Sequence, residues 1–232
     1  MTQQPTPLKT LQHRIDHSCR QAGRTAAVTL LAVSKTRDAG AIRALHQQGV
    51  TDFGENYLQE ALGKQPALAD LGLTWHFIGP IQSNKTRDIA QHFDWVHTVD
   101  RLKIARRLSE QRPADLPPLN LCIQVNVDDE ASKSGVSLAE VPALAAAIAE
   151  LPNLRLRGLM AIPRADATDG NQAAFRTLAM TLSQLRHTMA AQSAQPLDTL
   201  SMGMSDDFET AIAEGATIVR IGTALFGPRP DT

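Results

Sequence analysis

A lysine at the end of a short apolar segment is the first residue in this chain whose type and position suggest chemistry. The segment LLAVSKT runs from residue 30 to residue 36, and polar residues follow it directly. Because side chains alternate along a strand, Leu31, Val33 and Lys35 share one face if the segment is extended. Shielding from water lowers the pKa of an amine and favours the neutral form that attacks aldehydes. Taken alone, the pattern also fits a lysine whose ammonium group simply reaches solvent from a strand end.

Two segments rich in small residues near the end of the chain predict a site for an anion. They are SMGMS, residues 201 to 205, and RIGT, residues 220 to 223. Small residues between a strand and a helix leave backbone N–H groups exposed and let a phosphate come close. The hydroxyl groups of Ser201, Ser205 and Thr223 are further donors. SMGMS by itself equally fits an ordinary turn, and its pairing with RIGT is what makes an anion site specific.

Arg220 is the second charged residue whose position in the sequence suggests a role. Alternation along its segment places Arg220 and Gly222 on the same face. A guanidinium that points into a protein interior needs an acceptor, because leaving it unpaired is costly. The sequence leaves two possibilities open: an internal salt bridge, for instance to Glu55 or Asp207, or a hydrogen bond to a ligand.

Strand-like and helix-like segments alternate along the chain and must position these residues. An amphipathic helix over residues 7–23 comes first, and eight strand-like segments separated by helical patterns follow. This order predicts a parallel (β/α)₈ TIM barrel with an extra N-terminal helix, formed by one domain over residues 1–232. The alternative is an open doubly wound sheet, but no GxGxxG follows the first strand to support it. The predicted strands cover residues 29–34, 52–54, 75–78, 95–98, 119–125, 154–160, 197–202 and 218–221.

The carboxyl ends of the predicted strands carry the residues of interest. Lys35 follows the first strand and Asn56 the second, whereas SMGMS and RIGT belong to the seventh and eighth. The active sites of such barrels lie at this end, and phosphate sites are common after strands seven and eight. We therefore expect these residues to meet at one face of the barrel.

Composition narrows the classes of function. Of the 232 residues 43% are hydrophobic, which is enough for a sizeable core. A net charge of −1 and an aromatic content of 4% argue against nonspecific binding to nucleic acid or to an anionic membrane. With no secretory signal and no apolar run of membrane-spanning length, we expect a cytoplasmic protein whose Cys19 and Cys122 are free, largely buried thiols. His76 and His97 lack the spacing of a metal site and are interpreted as barrel-lining or loop histidines.

Six segments resemble the YggS/PROSC family of pyridoxal-phosphate-binding homeostasis proteins. They are AVSKT, FGENYLQE, WHFIGPIQSNK, RGLMAIP, LSMGMSDDFETAI and VRIGTALFG, in this order between about residue 25 and residue 228. The resemblance implies a barrel of the alanine-racemase N-terminal type that binds pyridoxal 5'-phosphate (PLP). It implies that Lys35 forms the internal aldimine, that Arg220 faces the pyridine nitrogen and that Asn56 lines the ring. The motifs that hold the phosphate contain Ser201, Gly203, Ser205, Gly222 and Thr223.

The identity of the ring partner separates two expected functions. An arginine cannot accept the proton of the ring nitrogen, so the cofactor would be a poor electron sink. Racemases with this arrangement place two bases around the α-carbon, and in alanine racemase the second is a tyrosine from another domain. Only six residues follow Phe226, so we expect that domain to be missing. Tyr57 is the sole tyrosine, and it fits a pocket-lining residue and an aromatic anchor at a helix start equally well.

We therefore expect a protein that holds PLP and takes part in its homeostasis without evident turnover. Apo-enzymes that use PLP are candidate partners, and a monomer or weak dimer is the expected assembly. Lys133 is interpreted as a solvated loop charge and not as a relay for the cofactor. A PLP-dependent amino-acid racemase is the alternative, and a protein-interaction module that senses the cofactor is a third possibility.

Overall fold

Eight parallel strands close into a barrel in the computed structural model of the protein, which describes residues 6–130, 134–164, 167–190 and 195–227. The strands follow one another around the barrel in chain order, and the eighth pairs with the first. The predicted (β/α)₈ barrel is therefore confirmed, and each predicted strand is present with ends that differ by at most two residues. The strands are β1 Thr29–Val33, β2 Asp52–Glu55, β3 Thr74–Phe77, β4 Trp95–Val99, β5 Leu119–Gln124, β6 Leu154–Met160, β7 Thr199–Ser201 and β8 Ile218–Ile221.

The helices surround the barrel. One of the helical patterns in the sequence spans residues 56–69. In the structure it is divided, because Pro66 lacks a backbone N–H and the chain continues as a 3₁₀-helix after Lys64. A short helix directly after β8 was not predicted. The helices are α1 Pro7–Gln21, α2 Ala39–His46, α3 Leu58–Lys64, α4 Thr86–His92, α5 Leu102–Gln111, α6 Val141–Ala149, α7 Gln172–Met189, α8 Phe208–Ala213 and α9 Thr223–Phe226, with 3₁₀-helices at Gln65–Leu68, Ser83–Lys85 and Leu138–Glu140.

The extra N-terminal helix α1 begins at a proline that follows the capping residue Thr6. Its buried residues Leu8, Leu11 and Ile15 recur at helical spacing and lie on one face. This face packs against α8. The helix thereby covers the outside of the barrel beside the loop that follows β7.

The barrel interior is divided into an apolar side and a polar side. Leu31, Ile78 and Ile218 form a small buried cluster, against which Val33 and Trp95 pack. Polar side chains fill the rest of the interior between β2 and β8, and a hydrogen bond between His97 on β4 and the β7 residue Ser201 crosses it directly. A second, much larger core lies between the strands and the helices. The division matters for function because polar side chains inside the barrel can form hydrogen bonds with residues at its open end.

No helix in the described ranges is both long and apolar enough to cross a membrane. Lys133 lies outside the described residues. That all 232 residues form one domain stays a prediction.

Candidate functional site

A cavity of about 640 Å³ opens at the carboxyl ends of the strands. The apolar side chains of Val33 and Ile78 form part of its wall, and Ile162 and Met204 lie at its exposed rim. It brings together six of the eight residues predicted for the site: Lys35, Asn56, Ser205, Arg220, Gly222 and Thr223.

Ser201 and Gly203, the other two predicted residues, do not line this cavity. Ser201 is fully buried below it and accepts a hydrogen bond from Arg220 at its hydroxyl oxygen. Gly203 has a φ of +92°, and a Cβ there would lie 2.6 Å from the side chain of Ala211 in α8. Glycine is thus required at position 203 by the backbone and by helix packing. A contact of either residue with a phosphate stays a prediction.

Lys35 follows β1 and lines the cavity together with Val33. The backbone on both sides of Lys35 is held by two residues of α3. The carbonyl oxygen of Ser34 accepts a hydrogen bond from the Lys64 ammonium at 3.0 Å, and the Thr36 N–H donates to Glu60 at 2.6 Å. Thr36 has a φ of 63°, a left-handed conformation that a β-branched residue rarely adopts. These contacts fix the direction in which the Lys35 side chain leaves the strand.

The cluster behind Lys35 is charged, and all of it except the partly exposed Glu60 is buried. Lys64 donates to one oxygen of Glu55 at 2.6 Å and to Glu60 at 2.7 Å, and the Ser34 hydroxyl donates to the same Glu55 oxygen. Burial raises the pKa of Glu55, although the bonds from Lys64 and Ser34 oppose this. The other Glu55 oxygen is buried without a hydrogen-bond partner in the described residues. We refer to Ser34, Glu55, Glu60 and Lys64 as the lysine cluster.

Arg220 is 5% exposed, and all its hydrogen bonds to the described residues go to uncharged acceptors. One guanidinium nitrogen donates to the carbonyl and hydroxyl oxygens of Ser201, and the other donates to the carbonyl oxygen of Ala161 at 2.9 Å. The internal salt bridge that the sequence left open is absent from the described residues, because Glu55 binds Lys64 and the Asp207 carboxylate accepts from Asn171 and the Met204 backbone. Burial lowers the pKa of Arg220 to about 10, so the group is still charged at neutral pH.

Asn56 approaches the cavity from the loop after β2. Its side-chain oxygen is buried and has no hydrogen-bond partner among the described residues. The Asn56 backbone lies so close to Gly79 that a Cβ at position 79 would be 2.0 Å from the Asn56 carbonyl oxygen. Gly79 therefore permits the position of Asn56, and the unpartnered oxygen is available to a ligand.

Tyr57 lies beside the main cavity. Its side chain is 57% exposed at the start of α3. With Asn56 and Lys85 it lines a neighbouring cavity of about 270 Å³.

Several residues near the site were not singled out from the sequence. Arg14 of α1 lines the cavity while its guanidinium pairs with Glu209 and lies 4.6 Å from the centre of the Phe208 ring. No spacing in the sequence connects residue 14 with residue 209. His76 and His97 were interpreted as barrel-lining or loop histidines; both lie on strands, and the sequence did not reveal their partners.

His76 and His97 are buried inside the barrel and bonded to each other at 2.9 Å. In the portion of the chain that the structure describes, no group of three or more side chains could hold a metal ion. Cys122 is buried and burial raises its pKa to about 12, whereas Cys19 is half-buried; both thiols are free, as predicted.

The comparisons with known proteins agree with this geometry. The sequence model of the alanine racemase N-terminal domain matches residues 8–230. The chain is 66% identical to the pyridoxal phosphate homeostasis protein of Pseudomonas aeruginosa, over 93% of this chain and 91% of the relative. It is 52% identical to the protein of the same name from Escherichia coli K12, over 96% and 95% of the two chains.

A solved structure gives the same result. PipY of Synechococcus elongatus PCC7942, determined with PLP bound, superposes with a TM-score of 0.83 at 37% identity, over 95% of this chain and 98% of that chain. The family resemblance predicted from the sequence is confirmed. The chain belongs to the family of the alanine racemase N-terminal domain and, within it, to the group of the pyridoxal phosphate homeostasis proteins.

Proposed function

We propose that the protein binds PLP covalently through the ε-amine of Lys35 and acts in PLP homeostasis without catalytic turnover. The observation that carries this proposal is the cavity that joins Lys35 to Arg220, Asn56 and the loops after β7 and β8. Its relatives are named for PLP homeostasis, and PipY was solved with PLP bound.

The residues present fit the cofactor. A volume of about 640 Å³ is in the range of small-ligand sites. PLP presents an aldehyde, a ring nitrogen and a phosphate, which require an amine, a hydrogen-bond donor and anion-binding groups. Lys35 supplies the first and Arg220 the second, and Ser205, Gly222 and Thr223 lie where the third is needed.

Lys35 performs the covalent step. Its neutral amine attacks the aldehyde carbon, and one water leaves as the carbon–nitrogen double bond forms. The lysine cluster holds the backbone at Ser34 and Thr36, so the amine meets the ligand in a fixed orientation. Release is the reverse reaction with water, which suits a reversible carrier.

Arg220 favours storage over catalysis in combination with the position of Tyr57, which lines the neighbouring cavity and not the one that contains Lys35. The group donates and has no lone pair to accept, so it leaves the ring nitrogen without a proton. When bound, PLP supplies an electrophilic aldehyde, but an unprotonated ring withdraws electrons weakly. Binding of PLP is thus favoured without efficient chemistry at an amino-acid α-carbon.

The test uses the absorbance of the purified protein after incubation with PLP. We expect a visible band that borohydride reduction removes, and peptide mapping that places the reduced adduct on Lys35. Lys35→Ala should lose the band and the adduct. Lys85→Ala, which removes an amine from the neighbouring cavity, should keep both. An adduct on another side chain, or a colourless wild-type protein, would overturn the proposal.

The racemase alternative rests on the fold that the family shares with alanine racemase. Steady-state assays of the PLP-loaded protein with a panel of L- and D-amino acids separate the two functions. Turnover of about 1 s⁻¹ or more would show an enzyme. Turnover far below that value would favour the carrier.

Apo-enzymes that require PLP are the proposed recipients, and the cytoplasm is the proposed compartment. Mixing the loaded protein with such an apo-enzyme should restore its activity faster than free PLP at the same concentration. A rate equal to that of free PLP would argue against direct transfer. Sedimentation of the loaded protein should give a monomer or a weak dimer.

A further inference from the structure

A continuous chain of hydrogen bonds crosses the barrel interior from Arg220 to Asp52. Arg220 donates to the Ser201 hydroxyl oxygen at 3.0 Å, and Ser201 Oγ lies 2.8 Å from His97 Nδ1. His97 Nε2 is 2.9 Å from His76 Nδ1, and His76 Nε2 is 3.1 Å from Asp52 Oδ1. We call these five residues the barrel relay.

The relay connects the two ends of the barrel. Arg220 lines the cavity at the carboxyl ends of the strands. Asp52 is the first residue of β2 and lines a separate cavity of about 450 Å³ beside the first residues of β1. The three residues between them are at most 1% exposed, so the middle of the chain is closed to solvent.

The chemistry of the end groups determines the direction of every hydrogen bond. A guanidinium only donates and a carboxylate only accepts. His76 must therefore donate from Nε2 to Asp52, which leaves Nδ1 of a neutral ring as an acceptor. His97 donates from Nε2 to this His76 nitrogen, and its own Nδ1 accepts the Ser201 hydroxyl proton. The lone pairs of the Ser201 hydroxyl then face Arg220.

A protonated His76 would break this order. It would donate from Nδ1 to His97 Nε2, and the other nitrogen of His97 would then donate to Ser201. The Ser201 oxygen would face donors from both His97 and Arg220, and its own proton would have no acceptor among the described residues. Only the neutral arrangement satisfies every polar atom. Burial, reinforced by the charge of Arg220, lowers the pKa of His97 well below its ordinary value, in agreement with a neutral ring.

We propose that Asp52, His76, His97 and Ser201 are positioning residues for Arg220, and that they make its contact with the bound ligand depend on a carboxylate at the opposite end of the barrel. The inference rests on the proposed function, because the ring nitrogen of PLP is the partner that Arg220 would meet. His97 prevents rotation of the Ser201 hydroxyl, which would otherwise turn its proton toward the guanidinium. Asp52 selects the tautomer of His76, and through it the tautomer of His97.

The first experiment needs no ligand. Nitrogen-15 chemical shifts of the histidine rings in the unmodified, PLP-free protein should show His76 and His97 as neutral rings with the proton on Nε2. Asp52→Asn should change the His97 ring signals, although Asp52 does not contact His97. Asp16→Asn removes a carboxylate from the same cavity but not from the relay, and it should leave them unchanged. Another tautomer in the unmodified protein, or His97 signals that Asp52→Asn leaves in place, would overturn the proposal.

The second experiment measures retention of PLP. Asp52→Asn should speed the release of PLP by about fivefold and shift its visible band, with no effect of Asp16→Asn. In a His97→Leu background the same Asp52→Asn change should have no further effect, because the relay is already interrupted. Additive effects of the two substitutions would contradict the relay. If the unmodified protein binds no PLP, the proposed function fails, and the nitrogen-15 shifts still decide whether the relay exists.

Discussion

Two buried cations, Lys64 and Arg220, are treated in opposite ways by the protein. Lys64 lies outside the barrel between β2 and α3, where its ammonium binds two carboxylates. Arg220 lies inside the barrel, and the acceptors it has in the described residues are carbonyl and hydroxyl oxygens. Both side chains are almost completely buried.

The difference separates a charge that is neutralised within the protein from the charge that we propose to contact the ligand. The charge of Lys64 is neutralised locally, so the group can hold the backbone around Lys35 but has little attraction left for a ligand. The charge of Arg220 is only partly balanced, since Asp207 acts on it from a distance and no carboxylate is bonded to it in the described ranges. A buried charge without an ionic partner is costly to the free protein, and a ligand that accepts from it recovers part of that cost.

The largest effect should come from breaking the lysine cluster. Lys64→Met leaves Glu55 buried without its cation, and we expect the free energy of unfolding to fall by about 3 kcal/mol. Urea denaturation of the PLP-free protein measures this. Lys103→Met on the exposed face of α5 is the control and should change little. A loss below about 1 kcal/mol for Lys64→Met would show that the cluster is not a structural anchor.

Acid should weaken the interior of the barrel through His97. The folded protein keeps His97 neutral, whereas the unfolded chain takes up a proton below its ordinary pKa of 6.5. The contribution of His97 to the unfolding free energy is therefore complete above pH 6.5 and declines as the pH falls below that value.

The His97 contribution can be isolated by substitution. In the unfolding free energy of the PLP-free protein against pH, His97→Asn should lack this part of the slope. Titration of Asp52 does not contribute to the slope in this pH range. Burial would raise the pKa of Asp52, but hydrogen bonds from His76 and Thr51 outweigh burial and keep that pKa below its usual value. An equal slope in the His97→Asn protein would mean that another group titrates.

Removal of Arg220, the second buried cation, should weaken the binding of PLP more than it lowers the unfolding free energy. Arg220→Met leaves only neutral acceptors behind, so we expect a loss of about 1 kcal/mol in unfolding free energy, but about tenfold weaker retention of PLP. Arg106→Met on the exposed face of α5 should change neither quantity. A stability loss as large as that of Lys64→Met would remove the distinction between the two cations.

The smallest effect should come from the exposed edge of the lysine cluster. Glu60 is partly exposed and binds both Lys64 and the Thr36 N–H. Glu60→Gln should cost about 0.5–1 kcal/mol in the same urea experiment and slow the reaction of Lys35 with PLP. Glu110→Gln, at an exposed position of α5, serves as the control. An unchanged rate of reaction would show that the backbone at Thr36 does not orient the amine.

The fold and the cavity residues were accessible from the sequence for different reasons. The alternation of strand and helix patterns is local, and it predicted all eight strands within one or two residues. The position of Lys35, Asn56 and the glycine-rich loops followed from the rule that strand ends meet at one face. Gly203 shows the limit of this reasoning. The sequence did not predict that the side chain of Ala211 leaves no room for a Cβ at position 203, because packing of α8 brings the two residues together.

The sequence by itself predicted the barrel, the end of the barrel at which the cavity lies, and the presence of Lys35 at that end. These features depend on periodicity and on residues adjacent in the chain. Only the tertiary structure decided the partners of Arg220 and the order of the barrel relay. The contact that completes the relay, between His97 on β4 and Ser201 on β7, joins strands that are not neighbours in the sheet. Its geometry is set by closure and register of the barrel as a whole, which no local pattern records.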